Sequence, residues 1–489
     1  MNLRTKPLDA ILAAAEKKGL KRQLGWFELT MLGIGAVIGT GIFVLTAVAA
    51  NKAGPGMMIS FVIAGAVCLL TALIYAEIAS MVPVSGSAYT YSYAVLGEII
   101  AWCVGWALIL EYAIAAGAVS VGWAGYVNGY LNTIGWGLPL ALQAGPADTI
   151  TLPDGTTAHG AFNLFACLIA LFVTFMLVIG TSRSAKFTSV LVIVKIIALS
   201  VFVVLGWGAV SHANFEPLLP NGWGQPLGGV GVLGAAASIF FAYVGFDAVS
   251  TAAEETKNPQ KNIPIGLIAS LVICTVFYLL VAYVAIGAMG AQPGGDLSRS
   301  KEPLAFVMRQ LGHPWIGNAV AASAVIALPS VILMMMFGQT RVLFTMSRDG
   351  LMPKLFSTVH PKFFTPHVVT IITGIFVAAF AACFPVDLLA DVSNAGTLFA
   401  FLVVAIGVMI LRRTEPNRPR SFRTPIIWVV GPLAVAGCIL LFVSLGAYTV
   451  KVFFTWAAIG LVVYFSYARS RSHFANPQAE ATTSTTTTP

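Results

Sequence analysis

Residues 33–43 read Gly33-Ile-Gly-Ala-Val-Ile-Gly-Thr-Gly-Ile-Phe43, a run of apolar residues carrying four glycines. Glycine inside a helix costs about 1 kcal/mol relative to alanine, so this density weakens any continuous helix through the run. Gly39 and Gly41 are two residues apart and cannot share one helical face. That spacing argues for an interruption near Gly39–Gly41; close approach of a neighbouring helix is the alternative use of such glycines. The run sits in an apolar stretch from about residue 29 to residue 50, long enough to cross a hydrocarbon layer of ~30 Å. A break at that depth leaves backbone N–H and C=O groups with no water to satisfy them, and a ligand bearing its own charges is a natural partner.

Outward from this run the whole chain has the same character. Of 489 residues, 58 % are hydrophobic and 9 % charged, with a mean hydropathy of +0.88. Soluble chains carry about a quarter charged residues, and one aqueous core cannot hide this excess. Lipid can, and 47 glycines with 25 prolines suit membrane helices better than soluble ones. The net charge of +8 is scattered between apolar stretches, without the single basic face of a nucleic-acid binder. Cys68, Cys103, Cys167, Cys274, Cys383 and Cys438 lie in or beside apolar segments without metal-ligand spacing, and read as small hydrophobes. No metal or cofactor is expected.

Apolar stretches of spanning length fall at about 29–50, 57–80, 98–131, 161–180, 187–209, 229–252, 264–288, 319–342, 367–385, 388–411, 426–446 and 450–468. The fold class expected is therefore an all-α polytopic membrane protein with twelve transmembrane helices. The third stretch exceeds one crossing and should tilt or project. With the amino terminus inside, the cytoplasmic side receives Arg4, Lys6, Lys17, Lys18, Lys21, Arg22, Arg183, Lys186, Lys257, Lys261, Arg341, Arg348, Lys354, Lys362, Arg412, Arg413, Arg418, Arg420, Arg423, Arg469 and Arg471. The other side receives Lys52, Arg299, Lys301, Arg309 and Lys451, so the bias is twenty-one to five. Both termini are expected in the cytoplasm of a bacterial inner membrane. Residues 1–25 are polar and basic, which does not suit a cleavable signal. Pro7–Leu20 places Leu8, Ile11, Leu12 and Ala15 on one face of a surface helix, and the threonine-rich 477–489 reads as a disordered tail.

The sixth stretch contains Phe240-Phe-Ala-Tyr-Val-Gly-Phe-Asp-Ala-Val-Ser250. Gly245 interrupts it and Asp247 puts a carboxylate inside it, so a second discontinuous helix is expected. Stretches one and six are five apart, and a unit of odd count re-enters from the opposite face. This matches an inverted repeat of spans one to five on six to ten. The expected organisation is a cytoplasmic segment 1–28, a ten-helix core 29–411 with repeats about 29–209 and 229–411, a basic loop 412–425, two accessory helices 426–468 and a tail 469–489.

Ionisable residues within spans need a reason. Glu111 lies near mid-depth of the third span, where it can pair with a basic substrate, accept a proton or make a structural hydrogen bond. Lys195, in the fifth, can serve as an internal cation and proton carrier, because loss of water disfavours a charged amine; snorkelling to the headgroups is the alternative. Asp247 is placed to cap the resuming half-helix, with substrate contact or proton handling as other roles. Glu28, Glu77 and Glu98 stand at helix ends and read as structural. The aromatic series Tyr89, Tyr91, Tyr93, Trp102, Trp106, Tyr112, Trp123 and Tyr126 reads mainly as packing, whereas Phe240 and Phe241 are candidates for a thin gate over a substrate.

The motifs Gly39-Thr-Gly-Ile-Phe43, Val82-Pro-Val-Ser-Gly-Ser-Ala-Tyr89, Leu110-Glu-Tyr112, Phe240-Phe-Ala-Tyr-Val-Gly-Phe-Asp247, Glu254-Glu-Thr-Lys-Asn-Pro259 with Ile263-Pro264, and Arg341-Val-Leu-Phe-Thr-Met-Ser-Arg-Asp-Gly350 together resemble the amino acid–polyamine–organocation superfamily. More narrowly, they resemble its bacterial cationic amino acid transporter branch, over roughly residues 20 to 470. The resemblance implies a LeuT-like five-plus-five inverted-repeat core followed by two helices. It implies that the N–H groups of Thr40 and Gly41 hold a substrate carboxylate, and that carbonyls of Val37, Ile38, Phe240, Phe241 and Tyr243 receive its ammonium. Thr40 stands where the family often has serine, so its methyl should narrow the site. Lys195 matches the lysine that fills the place of sodium in sodium-coupled relatives, which implies proton coupling. Glu111 matches a residue associated with basic side chains, although members bearing it also carry neutral amino acids.

The expected function is secondary active amino-acid transport by alternating access. Proton-coupled uptake with a leaning to cationic substrates is the leading form, and exchange or pH-modulated facilitation of neutral amino acids is the alternative. Expected partners are the amino acid, protons and membrane lipid, with any small membrane-protein partner unidentified and no nucleic acid. No phosphate-binding Gly-Lys-Thr or Gly-Lys-Ser loop supports an ATP-driven pump. The six histidines are dispersed and compose no enzyme site.

Overall fold

A computed structural model describes residues 24–82, 87–151, 157–180, 185–252 and 256–472. The surface helix expected at 7–20, the tail at 477–489, and the motif positions 83–86 and 253–255 lie outside these residues.

The first span is built as α1 (Trp26–Val37), α2 (Thr40–Phe43) and α3 (Leu45–Ala53), and the second as α4 (Met57–Met81). After α5 (Ser87–Val95) the third is α6 (Glu98–Thr133). In the following loop, β1 (Thr149–Thr151) pairs antiparallel with β2 (Thr157–His159), a small departure from the all-α expectation. The fourth and fifth spans are α7 (Leu164–Ile179) and α8 (Ala185–Trp207). The sixth begins as α9 (Gly231–Ile239), passes through a 3-10 turn at Phe240–Tyr243 and resumes as α10 (Ala248–Thr251). Then come α11 (Pro259–Met289), the short α12 (Asp296–Arg299) and α13 (Pro303–Gln310), and α14 (Pro314–Arg348). The chain continues through α15 (His367–Cys383), α16 (Val386–Thr414), α17 (Ile427–Ser444) and α18 (Ala447–Val463). Among the described residues, eight helical runs are long and apolar enough to cross a membrane, and four shorter apolar helices lie among them.

Both expected interruptions are present, and the helices around them pair in register. The end of the first span meets the start of the sixth, α3 against α9, while its beginning meets the end of the sixth, α1 against α10. Such a crossed correspondence requires the two spans to run antiparallel. The same offset of five recurs in α4 with α11, α6 with α14 and α7 with α15. This is the contact pattern of two five-helix units related by inversion.

At 36 residues, α6 is about 54 Å long. It is the central post, packed by α14, α16, α15 and α7, and therefore buried along most of its length. By contrast α17 buries only Ile427, Gly431, Ala434, Cys438, Leu441 and Ser444, a stripe at three- and four-residue spacing. Its other faces carry exposed Trp428, Val429, Leu433, Ile439 and Leu440. An apolar outer surface of this extent marks a face that meets a membrane or another protein.

The α16–α17 connection is tied down by a buried carboxylate. Glu77, fully buried on α4, accepts Arg412 Nε at 2.6 Å and Nη2 at 2.8 Å. It also accepts the Thr424 amide at 2.8 Å, and Arg420 Nε stands 3.1 Å away. Glu98, at the foot of α6, accepts Tyr464 at 3.0 Å and Tyr93 at 3.2 Å, and also Ser472. The structural reading of both glutamates agrees with these contacts. Glu28 accepts the Gly25 amide at 2.9 Å at the start of α1, which satisfies one N–H left free at the helix end. Asp148 pairs with Lys301 at 2.9 Å, so this loop carboxylate is already neutralised. All six cysteines are free.

Candidate functional site: the paired helix breaks

The helix α1 stops because Ile38 is extended, with φ −72° and ψ 96°, and Gly39 adopts φ −147° and ψ −146°. Helix resumes at Thr40. In the sixth span Val244 is extended, with ψ 136°, and Gly245 has φ +112°, a conformation that favours glycine. The two breaks touch. A Cβ on Gly41 would lie 2.2 Å from the Ala242 Cα, and one on Gly245 would lie 3.0 Å from the Ala36 oxygen. Gly41 is thus required for approach to the facing backbone, and Gly245 for conformation as well. Replacing Gly41 with alanine is expected to drive the breaks apart and lower uptake at least tenfold with normal membrane insertion. Wild-type uptake in a correctly inserted Gly41→Ala chain would show that the contact is dispensable.

A helix end leaves carbonyls without intrahelical donors, and three other helices supply side chains to those of the first span. Lys195 of α8 donates from Nζ to the Gly35 oxygen at 2.9 Å, where it also meets the negative end of the α1 dipole. Tyr126 of α6 donates to the Phe43 oxygen at 2.6 Å. The Tyr278 hydroxyl of α11 lies 2.8 Å from the Val37 oxygen and 2.7 Å from the Ala242 oxygen. Its single proton reaches one of these carbonyls at a time, leaving the other open to a second donor. Lys195 is fully buried and therefore does not snorkel. Among the described residues no carboxylate forms an ion pair with it.

Thr40 is buried, and its hydroxyl oxygen has no hydrogen-bond partner among the described residues. A Cβ on Gly122 of α6 would come 2.6 Å from the Thr40 methyl, so that methyl occupies the space left by Gly122. The Asp247 side chain makes no capping bond to α10, contrary to the cap read from the sequence. Its Oδ2 accepts Tyr112 at 3.0 Å instead, because α6 brings a hydroxyl to it across the bundle. Glu111, the residue before that tyrosine, is buried, and neither carboxylate oxygen has a hydrogen-bond partner among the described residues. It faces α16, where a Cβ on Gly396 would stand 3.2 Å from its Cβ and Ser393 donates to its main-chain oxygen at 3.0 Å.

Phe240, Phe241 and Tyr243 all lie in the 3-10 turn and are buried. Phe240 packs edge-on against Phe401 of α16 at 6.1 Å, the Phe241 oxygen accepts the Val244 amide at 3.2 Å, and Tyr243 donates to the Phe61 oxygen at 3.0 Å. The structure adds residues that the sequence did not mark. Lys52, at the end of α3, pairs with Asp391 of α16 at 2.8 Å, and Ser238 of α9 bridges to both. Asn394, one turn further along α16, donates to the oxygens of Ala237 and Ser238 at 2.8 and 3.0 Å. This cluster joins the second half of the first span and the first half of the sixth to α16. Only the presence of Asp391 inside an apolar run hinted at it. A double-mutant cycle of Lys52→Met and Asp391→Leu, read by thermal unfolding, is expected to give a coupling of about 1–3 kcal/mol; additive effects would mean that the pair contributes nothing.

Residues 24–465 match the family model of the amino acid permeases. The chain belongs to the amino acid permease family. Two interrupted antiparallel helices at the centre of a five-plus-five core fit a permease of the wider amino acid–polyamine–organocation superfamily. This permease is 45 % identical to the branched-chain amino acid permease BcaP of Bacillus subtilis, over 95 % of this chain and 97 % of that one. It is 42 % identical to the methylthioribose transporter of the same organism, over 96 % and 98 %. With the chloroplastic cationic amino acid transporter 9 of Arabidopsis thaliana it shares 35 % identity, over 91 % and 76 %. These relatives are transporters, and the family is not one of enzymes.

Proposed function

We propose that this permease carries amino acids across the plasma membrane by alternating access, coupled to protons through Lys195. The observation that carries the reading is the bond from Lys195 to the Gly35 carbonyl, two residues before α1 ends. A buried ammonium without an ion-paired carboxylate is costly, so a change in its protonation changes what holds α1 in place. The core of ten helices spans 29–411 and is followed by the basic loop 412–425 and two accessory helices at 426–468. Twelve crossings with both termini cytoplasmic accord with the basic residues of the loops.

In this reading the substrate carboxylate meets the N–H groups of Thr40 and Gly41, at the start of the resumed helix. The ammonium meets carbonyls from Val37, Ile38, Phe240, Phe241 and Tyr243. The one-proton hydroxyl of Tyr278 supports this, since it cannot satisfy Val37 and Ala242 together. For the side chain, identity to a branched-chain permease over nearly both full lengths favours an aliphatic group. A cationic side chain is the second reading, favoured by the burial of the Glu111 carboxylate, which has no ion-paired cation among the described residues, and by likeness to a cationic amino acid transporter.

Purified protein in liposomes, given labelled leucine with and without an inward proton gradient, tests both points. Gradient-driven accumulation blocked by isoleucine and valine is expected. Competition by arginine and lysine alone would transfer the site to cationic substrates. Uptake that ignores the gradient but needs internal amino acid would replace symport with exchange.

A further inference from the structure

Behind the Glu111 region, α6, α16, α17 and α18 enclose a second space with no part in the helix breaks. It is an apolar cavity of about 370 Å³. Apolar cavities of ~150 Å³ stay dry and take up apolar molecules, and this one is more than twice that size. Its floor is a ladder of Trp102, Trp106 and Trp456, the last two stacked at 4.7 Å. Every indole N–H of the ladder is already used. Trp102 donates to the Gly460 oxygen at 2.9 Å, Trp106 to Trp456 at 2.8 Å and Trp456 to Trp106 at 2.9 Å. The lining therefore offers a polar ligand nothing to bind, and water would find no partners.

The mouth decides the occupant. Ile439, Phe454 and Leu461 line it while standing 48 %, 60 % and 38 % exposed, and each lies within the apolar length of α17 or α18. In a membrane this rim meets hydrocarbon, too deep for a headgroup. Ala107 and Leu398 form the inner wall, next to the point where a Cβ on Gly396 would fall 2.8 Å from the Ala107 oxygen. One residue layer thus separates the cavity from Glu111.

We propose that this cavity holds a single acyl chain of a surrounding phospholipid, inserted between the two accessory helices and the core as a spacer behind the α6–α16 contact. The test uses the full chain in lipid nanodiscs containing phosphatidylglycerol with a photoactivatable diazirine midway along one chain. After irradiation, adducts are mapped by mass spectrometry. Labelling of Cys103, Leu402 or Phe442, saturating near one adduct per protein, is expected. Ala457→Trp, which fills the space, should lower that labelling at least tenfold and leave adducts at the outward-facing Val462 unchanged, a control that reports a folded, lipid-embedded chain. Adducts at Val462 without any at the lining overturn the proposal. So do lining adducts unaffected by Ala457→Trp.

Discussion

Lys195→Gln, reconstituted in liposomes, is expected to lose at least tenfold of its accumulation under an inward proton gradient while still exchanging internal for external amino acid. Glutamine is one bond shorter than lysine but still carries a neutral N–H donor, so a hydrogen bond to the Gly35 carbonyl needs only a small approach of the two helices. It cannot carry a positive charge. A charge-assisted bond is about twice as strong as a neutral one, and the negative end of α1 adds to its attraction for a cation. Lys195 is wholly enclosed, so that attraction is little screened. The sign follows directly. Lower external pH favours the protonated amine and the α1 position that it holds, so wild-type uptake should rise as external pH falls. The glutamine chain should give a flat profile over the same range. An unchanged pH profile in folded Lys195→Gln would remove the residue from coupling, and loss of exchange as well would assign it a positioning role.

The second large effect is on stability. Glu77→Gln is expected to destabilise the protein by about 3–5 kcal/mol, the range for removing one partner of a buried ion pair. Glu77 is fully buried and faces two guanidinium groups, Arg412 in a two-pronged contact and Arg420 at 3.1 Å. The Arg420 side chain is only 1 % exposed, so without the carboxylate its charge would be left in a poorly solvated place. Thr424 would also lose a charged acceptor for its amide, and with it the anchor of the chain entering α17. Thermal unfolding in detergent should fall by roughly 5 °C or more. Arg412→Lys keeps the charge but loses the planar fork, and a smaller drop of about 1 kcal/mol is expected. Equal stability of Glu77→Gln and wild type would mean that the guanidinium groups find water once released.

These expectations show how unevenly the molecule is written in its sequence. That the chain is helical and apolar was legible from hydropathy alone, because crossing a fixed hydrocarbon thickness demands long apolar runs. Both interruptions were legible as well, since the cost of glycine in a helix is local and independent of what lies opposite. That Glu111, Lys195 and Asp247 required explanation followed from composition, because charge in an apolar run is rare.

What the sequence by itself determined was therefore an apolar helical chain broken at two places, with three ionisable groups out of their usual medium. Tertiary structure decided what each of them meets. Lys195 reaches a carbonyl 160 residues away, Tyr278 one 241 residues away, and Lys52 a carboxylate 339 residues away. Asp247 was read as a cap on the nearest amides and instead accepts a hydroxyl from α6. The physical reason is the same in each case. Propensity and hydropathy act over one or two helical turns, whereas a buried polar group is satisfied by whichever side chain the packing of antiparallel helices delivers, and that delivery depends on all the helices at once.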